Sequence, residues 1–289
     1  MSKVLVTGAS GFMGSHMADE LTSRGHDVTL FDKVPSPYAT SKQKMIVGDI
    51  SDFEAVNNIT RGMDYIFHFA ALSDINECAA KPREAAITNI MGTVDMLEAC
   101  RINDVKRFIF ASSAYVFSKA GSFYRSCKQA CENYIADYHE QYGLNYVILR
   151  FGSLYGSRSN EKNGLFRIIK ALLYDNEFTF DGTGDEIREL INIRDAVKIT
   201  ADCLDYRFMN SKLLVTGVER MKMKNIIDMV KEIIGRDTKV TYSEKTQPNH
   251  YKITPYNFNY DHCHKIVNNP YIDIGQGIMQ VIQEIAYEK

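Results

Sequence analysis

The sequence predicts an α/β fold, a doubly wound parallel sheet followed by a smaller C-terminal lobe, and three observations carry that reading. Strand-like and helix-like segments alternate through the first half of the chain, as crossover connections between parallel strands require. An apolar run, Val4 to Val6, breaks at Gly8, Gly11 and Gly14 and gives way to the helical spacing of Met17, Ala18 and Leu21. A second strand, Val28 to Phe31, then ends on Asp32, 18 residues beyond Gly14.

The glycines, spaced G-x-x-G-x-x-G, define the first element of a Rossmann-type dinucleotide site. Gly8 lets the strand turn sharply, Gly11 lets backbone N–H groups approach a pyrophosphate, and Gly14 lets the new helix pack closely on the sheet. Phosphates are expected at the helix N-terminus, where free N–H groups and the macrodipole favour negative charge. Asp32 stands where an acidic residue accepts hydrogen bonds from an adenosine ribose, which favours NAD over NADP, while the neighbouring Lys33 softens the repulsion of a 2′-phosphate.

The later elements follow the same alternation. Lys44 to Val47 reads as a third strand ending in Gly48-Asp49-Ile50, and Phe53 to Ile59 as a helix. Tyr65 to Phe69 is a fourth strand closing in Ala70-Ala71, whose small side chains let a cofactor lie against the backbone; His68 within it reads as a satisfied core histidine. Ile90, Val94 and Leu97 mark one face of a long helix in which Gly92-Thr93 is unfavourable unless something packs close. Phe108 to Ala111 is a fifth strand followed by Ser112-Ser113, and Tyr146 to Leu149 a sixth. Beyond it the periodicity becomes irregular, with a helix near 165–173, a short strand near 178–180 and a glycine-rich turn over 181–184. The expected organisation is a dinucleotide domain over 1–155 and a substrate lobe over 156–289, with 193–217 returning to the first domain.

At 289 residues, 45% hydrophobic and 24% charged, the chain is large enough to bury a sizeable core. A formal net charge of −2 gives no general attraction to nucleic acid or to an anionic membrane, so phosphate binding has to be local. The first strand begins by residue 4 and no apolar run is long enough to span a bilayer, from which a cytoplasmic location is expected. The six cysteines read as buried thiols; Cys263 between His262 and His264 is a poor metal site because three adjacent side chains converge badly on one ion.

Tyr124 and Lys128 lie four apart in a helical stretch, so both side chains share one face. A phenol with an ordinary pKa near 10 is a poor base at neutral pH, but a lysine ammonium and a cationic nicotinamide stabilise the phenolate. Ser113, just past the fifth strand, is placed to orient the same substrate oxygen while Tyr124 moves the proton. Further along, Cys127, Cys131, Tyr134, Ile135, Tyr138 and Tyr142 form a stripe suited to core or dimer packing.

These residues resemble the extended short-chain dehydrogenase/reductase superfamily, in its NAD-dependent nucleotide-sugar epimerase/dehydratase branch that includes UDP-glucose 4-epimerase. Val6 to Gly14 is similar to its cofactor turn, Gly48-Asp49-Ile50 to its adenine contact, His68 to Ala71 to its fourth-strand motif, and Asn89 with Gly92-Thr93 to its asparagine-bearing helix. Ser112 to Phe117 resembles the serine segment with Ser113 in the catalytic place, Tyr124 and Lys128 the catalytic pair, and Arg150 to Gly156 the segment that lines nicotinamide and sugar. The resemblance implies cofactor contacts from Phe12, Met13, Lys33, Asp49, Ile50, Phe69, Asn89, Ala111 and Phe151, and substrate contacts from Ser113, Ser153 and Arg188, the last gripping a diphosphate. It also implies a homodimer through the helices near 89–100 and 124–142.

Four departures stand out. The loop between Ser113 and Tyr124 is short and lacks the usual proline, which predicts an open sugar site; Ser153 replaces an asparagine; Glu189 and Asn192 replace an aspartate and an aromatic or histidine. Ala114-Tyr115 stands where dehydratases carry Asp-Glu, and Tyr115 has no visible partner to tune it, so dehydration and decarboxylation are disfavoured. The expected activity is epimerisation of a nucleotide-linked sugar at C4 through a transient keto-sugar. A keto-sugar reductase with net cofactor turnover is the enzymatic alternative, and a non-catalytic NAD-binding regulator the remote one.

Overall fold

The computed structural model describes residues 1–243, 249–255 and 263–287. β1 (Lys3–Thr7) runs into α1 (Phe12–Ser23), then β2 (Asp27–Asp32), β3 (Gln43–Val47), α2 (Phe53–Thr60) and β4 (Tyr65–His68). Two short helices, α3 (Ile75–Ala80) and α4 (Pro82–Ala85), and a π-helical turn over Ala86–Met91 lead into α5 (Gly92–Ile102), β5 (Arg107–Ser113), a 3-10 turn over Ala114–Phe117, α6 (Ser122–Tyr142) and β6 (Tyr146–Phe151). The remainder is β7 (Ser153–Tyr155), α7 (Gly164–Tyr174), β8 (Glu177–Asp181), β9 (Ile187–Arg188), β10 (Leu190–Asn192) and α8 (Ile193–Asp202). It closes with β11 (Ser211–Val215), β12 (Met221–Lys222), α9 (Met223–Ile234), β13 (Lys239–Ser243), β14 (Cys263–Ile266) and α10 (Ile274–Tyr287).

Eight strands form one parallel sheet in the order β14-β11-β6-β5-β4-β1-β2-β3. Alternation along β1 divides the core between the two faces. Val4 and Val6 pack with Met17 of α1 and Val197 of α8, while Leu5 packs with Val56 of α2, Leu97 of α5 and Ile135 of α6. A third cluster joins α7, α9 and α10 around Tyr155, Ile169, Ile226 and Ile278, and forms the interior of the smaller lobe.

Strand order reverses at β1 and β4, where the connections from these neighbours diverge and open a crevice at the carboxyl ends of the strands. Close packing sets its floor: a Cβ on Gly14 would lie 2.1 Å from the Gly8 carbonyl oxygen, so α1 reaches the sheet only with glycine there. Gly92 has the neighbour its position demands, since a Cβ would meet Ile50 Cδ1 at 2.8 Å. His68 is a core histidine, its Nδ1 against Thr7 Oγ1 at 2.8 Å and its Nε2 against Thr93 Oγ1 at 3.2 Å. Burial, with the Lys128 charge adding to it, depresses its pKa to about 3 and keeps the ring neutral.

Several expectations need correction. The sixth strand continues through Arg150 to Phe151, because all six of its residues are buried between neighbours on both sides. β14, which the irregular periodicity did not disclose, adds an edge to the sheet beside β11. In the stripe along α6, Cys127, Cys131 and Ile135 turn into the core, leaving Tyr134 and Tyr142 exposed. Cys78, Cys100, Cys127, Cys131 and Cys203 are buried free thiols, while the Cys263 side chain and His262 lie outside the described residues. Among the described residues no helix is long and apolar enough to cross a membrane.

Candidate active site

The crevice opens into a cleft of about 850 Å³, at the upper end for small-molecule sites. All the expected site residues except Asp49 and Asn89 line it. The N-terminus of α1 has no side-chain cap and no acidic residue in its first turn, so its free N–H groups are left for a partner from outside the helix, a place suited to an anion. Asp32 closes the far end of this cradle, its Oδ2 accepting the Ser10 N–H at 2.9 Å and its Oδ1 the Val34 N–H at 3.3 Å, with acceptor capacity left for ribose hydroxyls.

The two exceptions have physical reasons. Asn89 is 2% exposed and spends its carboxamide on the Leu72 backbone, accepting its N–H at 2.7 Å and donating to its carbonyl at 3.0 Å, so it shapes the wall from behind. The Asp49 carboxylate points outward and pairs with Lys33 at 3.0 Å, an exposed bridge of small energetic weight.

At the centre, α6 sets Tyr124 and Lys128 one turn apart beneath the end of β5. Lys128 Nζ donates to the Ala111 carbonyl at 2.7 Å and sits 4.6 Å from the centre of the Phe110 ring. Burial lowers its pKa. Burial likewise raises that of Tyr124, a trend the hydrogen bond from Ser113 opposes. The protein groups alone therefore leave the phenol protonated, and the positive charge of a nicotinamide is what such a site calls for.

The structure separates the two serines. Ser112 Oγ donates to Glu132 Oε1 at 2.5 Å, and Glu132 is clamped by Arg150 through Nε at 3.0 Å and Nη2 at 2.6 Å. Arg150 also stacks over Phe117 at 4.4 Å. With Glu132 6% and Arg150 4% exposed, this buried pair ties α6 to β5 and β6 directly behind the cleft. It leaves Ser113, and not Ser112, to meet Tyr124.

Residues 249–254 pack against the short loop between Ser113 and Tyr124, and His250 and Tyr251 line the cleft beside it. Gly121 N–H donates to the Asn249 carbonyl at 2.9 Å, and the Tyr115 and Tyr251 rings pack tilted at 46° with centroids 4.6 Å apart. Ser153 Oγ meets Tyr251 Oη at 3.2 Å, and the Ile187 N–H donates to the Lys252 carbonyl at 2.8 Å. Arg188 lies 4.6 Å over the Tyr251 ring, with Nη1 on the Ile187 and Lys252 carbonyls at 3.1 and 3.3 Å. The acidic residues near it in sequence are engaged elsewhere: Asp185 with Lys222 and Lys224, Glu186 with the turn N–H groups of Thr183 and Gly184, Glu189 with Lys265 and Thr216.

Tyr115 does have a partner: its Oη lies 2.9 Å from His250 Nδ1. Neither His250 nor Tyr251 carried a signal in the sequence, since they fall in an aperiodic stretch and their partners Tyr115, Ser153 and Arg188 lie more than 60 residues away. The departures at Glu189 and Asn192 are structural. Glu189 is fully buried, and Asn192 caps α8 by accepting the Arg194 N–H at 3.0 Å.

An uncapped helix N-terminus, an acidic residue at the end of β2 and a Ser-Tyr-Lys set share one cleft, the arrangement expected of the short-chain dehydrogenase/reductase class. The chain belongs to the NAD dependent epimerase/dehydratase family, whose model matches residues 4–207. It is 29% identical over 276 residues to the uncharacterised UDP-glucose epimerase YtcB of Bacillus subtilis, covering 84% of this chain and 85% of that protein. It is 25% identical over 300 residues to a putative UDP-glucose 4-epimerase of Methanocaldococcus jannaschii, covering 96% and 97%. The fold matches the crystal structure of UDP-glucuronic acid 4-epimerase from Bacillus cereus in complex with UDP-glucuronic acid and NAD, with a TM-score of 0.86, 24% identity, and coverage of 99% and 100%. The family is NAD-dependent, and the uncapped α1 terminus, the Gly14 contact and Asp32 fit that cofactor.

Proposed function

We propose that this chain is an NAD-dependent epimerase that inverts C4 of a nucleotide-linked sugar through a transient keto-sugar. The observation that carries the proposal is the convergence of Ser113, Tyr124 and Lys128 on one cleft with Arg188, while Ala114 offers no carboxylate beside Ser113 to expel a hydroxyl. Bound NAD supplies a reversible hydride acceptor. Ser113 hydrogen-bonds the reacting oxygen, Tyr124 takes the hydroxyl proton as the C4 carbonyl forms and gives it back when the opposite face is reduced, and Lys128 holds the phenolate charge. Arg188 grips the diphosphate through the edge of its guanidinium that the carbonyls leave open.

Purified protein given UDP-glucose and no added cofactor is expected to form the C4 epimer, followed by proton NMR, with no accumulation of reduced cofactor. Consumption of added NADH in step with product would support the keto-reductase instead. In the same assay Arg188→Met should raise KM by about 10- to 100-fold with NAD retention and Tm near wild type. A fall of several degrees in Tm with KM unchanged would make Arg188 structural.

The proposal extends to a cytoplasmic homodimer. The exposed side chains of Ile87, Met91, Phe123, Tyr134 and Tyr142 support the dimer, since helices carrying them bury that surface by packing against a second copy. Sedimentation at micromolar concentration should give twice the chain mass, and a monomer would refute this part.

A further inference from the structure

We propose that His250 is a specificity-determining residue that donates a hydrogen bond from Nε2 to a hydroxyl of the sugar, and that Tyr115 is the positioning residue that holds it in the required tautomer. The inference rests on the nucleotide-sugar reading and adds a residue to it.

Three observations place the imidazole beside the sugar. Tyr115 follows Ser113 by two residues, and its backbone N–H reaches Ser113 Oγ at 3.3 Å, so its side chain starts from the reacting centre. His250 meets the far end of that side chain, Oη to Nδ1 at 2.9 Å, and lines the same cleft. Arg188 stands over the ring of the next residue, Tyr251, at 4.6 Å, close enough for its charge to act on the imidazole. In a nucleotide sugar the rest of the hexose ring and its hydroxyls lie between the reacting C4 and the diphosphate carried on C1. A side chain between Ser113 and Arg188 therefore faces the hexose.

The hydrogen-bond arithmetic sets the tautomer. Burial raises the Tyr115 pKa, so the phenol keeps its proton, and among the described residues Oη has no acceptor other than Nδ1. Nδ1 is then the acceptor and Nε2 carries the hydrogen. The ring stays neutral: burial lowers its pKa first, Arg188 and Arg167 act in the same direction, and Asp74 opposes them. A neutral N–H fixed in direction suits an uncharged oxygen such as a hydroxyl. Sites that hydrogen-bond a substrate hydroxyl discriminate against ligands that lack it, because the donor is then left unpaired.

The test compares UDP-glucose with UDP, which shares the nucleotide and lacks the sugar, by titration calorimetry on the NAD-loaded protein. For His250→Phe, which keeps ring volume and loses both nitrogens, Kd for UDP-glucose should rise about three- to tenfold while Kd for UDP stays within about twofold. Tyr115→Phe should shift the UDP-glucose Kd the same way by a smaller factor, and His250→Gln, which retains an N–H donor, should recover part of the loss. Nitrogen NMR of histidine-labelled wild type should show His250 protonated at Nε2, with Tyr115→Phe mixing the two tautomers. Equal losses for UDP and UDP-glucose, no loss at all, or a wild-type ring protonated at Nδ1 would overturn the inference while leaving the epimerase reading intact. A wild-type protein that binds neither UDP nor UDP-glucose would overturn that reading and this inference with it.

Discussion

Tyr124→Phe is expected to lower kcat by about 10²–10⁴-fold while the protein still holds NAD, since one oxygen is lost and almost no volume. The loss should fall on kcat, because the phenol acts on a proton that moves only in the transition state. Turnover measured by NMR and cofactor retention measured by absorbance after gel filtration separate the two effects. Turnover close to wild type would mean that another group takes the proton, and Tyr115 would then become the first candidate, standing in the same cleft with an imidazole at its hydroxyl.

Arg150→Met should be among the most destabilising single changes outside the glycine turn. It leaves the Glu132 carboxylate buried without its bidentate partner, which costs about 3–5 kcal/mol. For a chain of this size that is a fall in Tm of roughly 5–8 °C. Activity should fall as well, because Glu132 holds Ser112 and so the register of Ser113 at the end of β5. Adding Glu132→Gln to Arg150→Met should restore part of the stability by removing the orphaned charge. Unchanged melting in Arg150→Met would show that the pair contributes little to the fold.

Much of the dinucleotide half was legible because its determinants are local. A strand, a glycine turn and an acid at the end of the next strand are contiguous in sequence, and Tyr124 with Lys128 is a single helical turn. Asn89 shows where that reading stops: a motif names a residue without saying which way its amide points, and here both ends go to Leu72. The substrate side was less legible because it is assembled from distant pieces. Ser153, Arg188 and Tyr115 were each visible alone, whereas the segment that joins them, 249–254, has no periodicity, and its contacts to Tyr115 span 135 residues. A short loop read in isolation does not show which distant segment packs against it. β14 escaped for the same reason, since four residues that pair only with β11 leave no pattern of their own.

The position of β11 and β14 bears on how the protein can be divided. They cap the sheet on the side of β6, a strand whose six residues are all buried. A fragment ending at residue 155 would keep the glycine turn and the Tyr-Lys pair, yet would present β6 as a long apolar edge with unpaired N–H and carbonyl groups. Such an edge is a template for strands of other molecules. The C-terminal part of the chain thus protects the N-terminal sheet from self-association, and a soluble NAD-binding fragment would have to extend at least through the Ser211–Val215 strand.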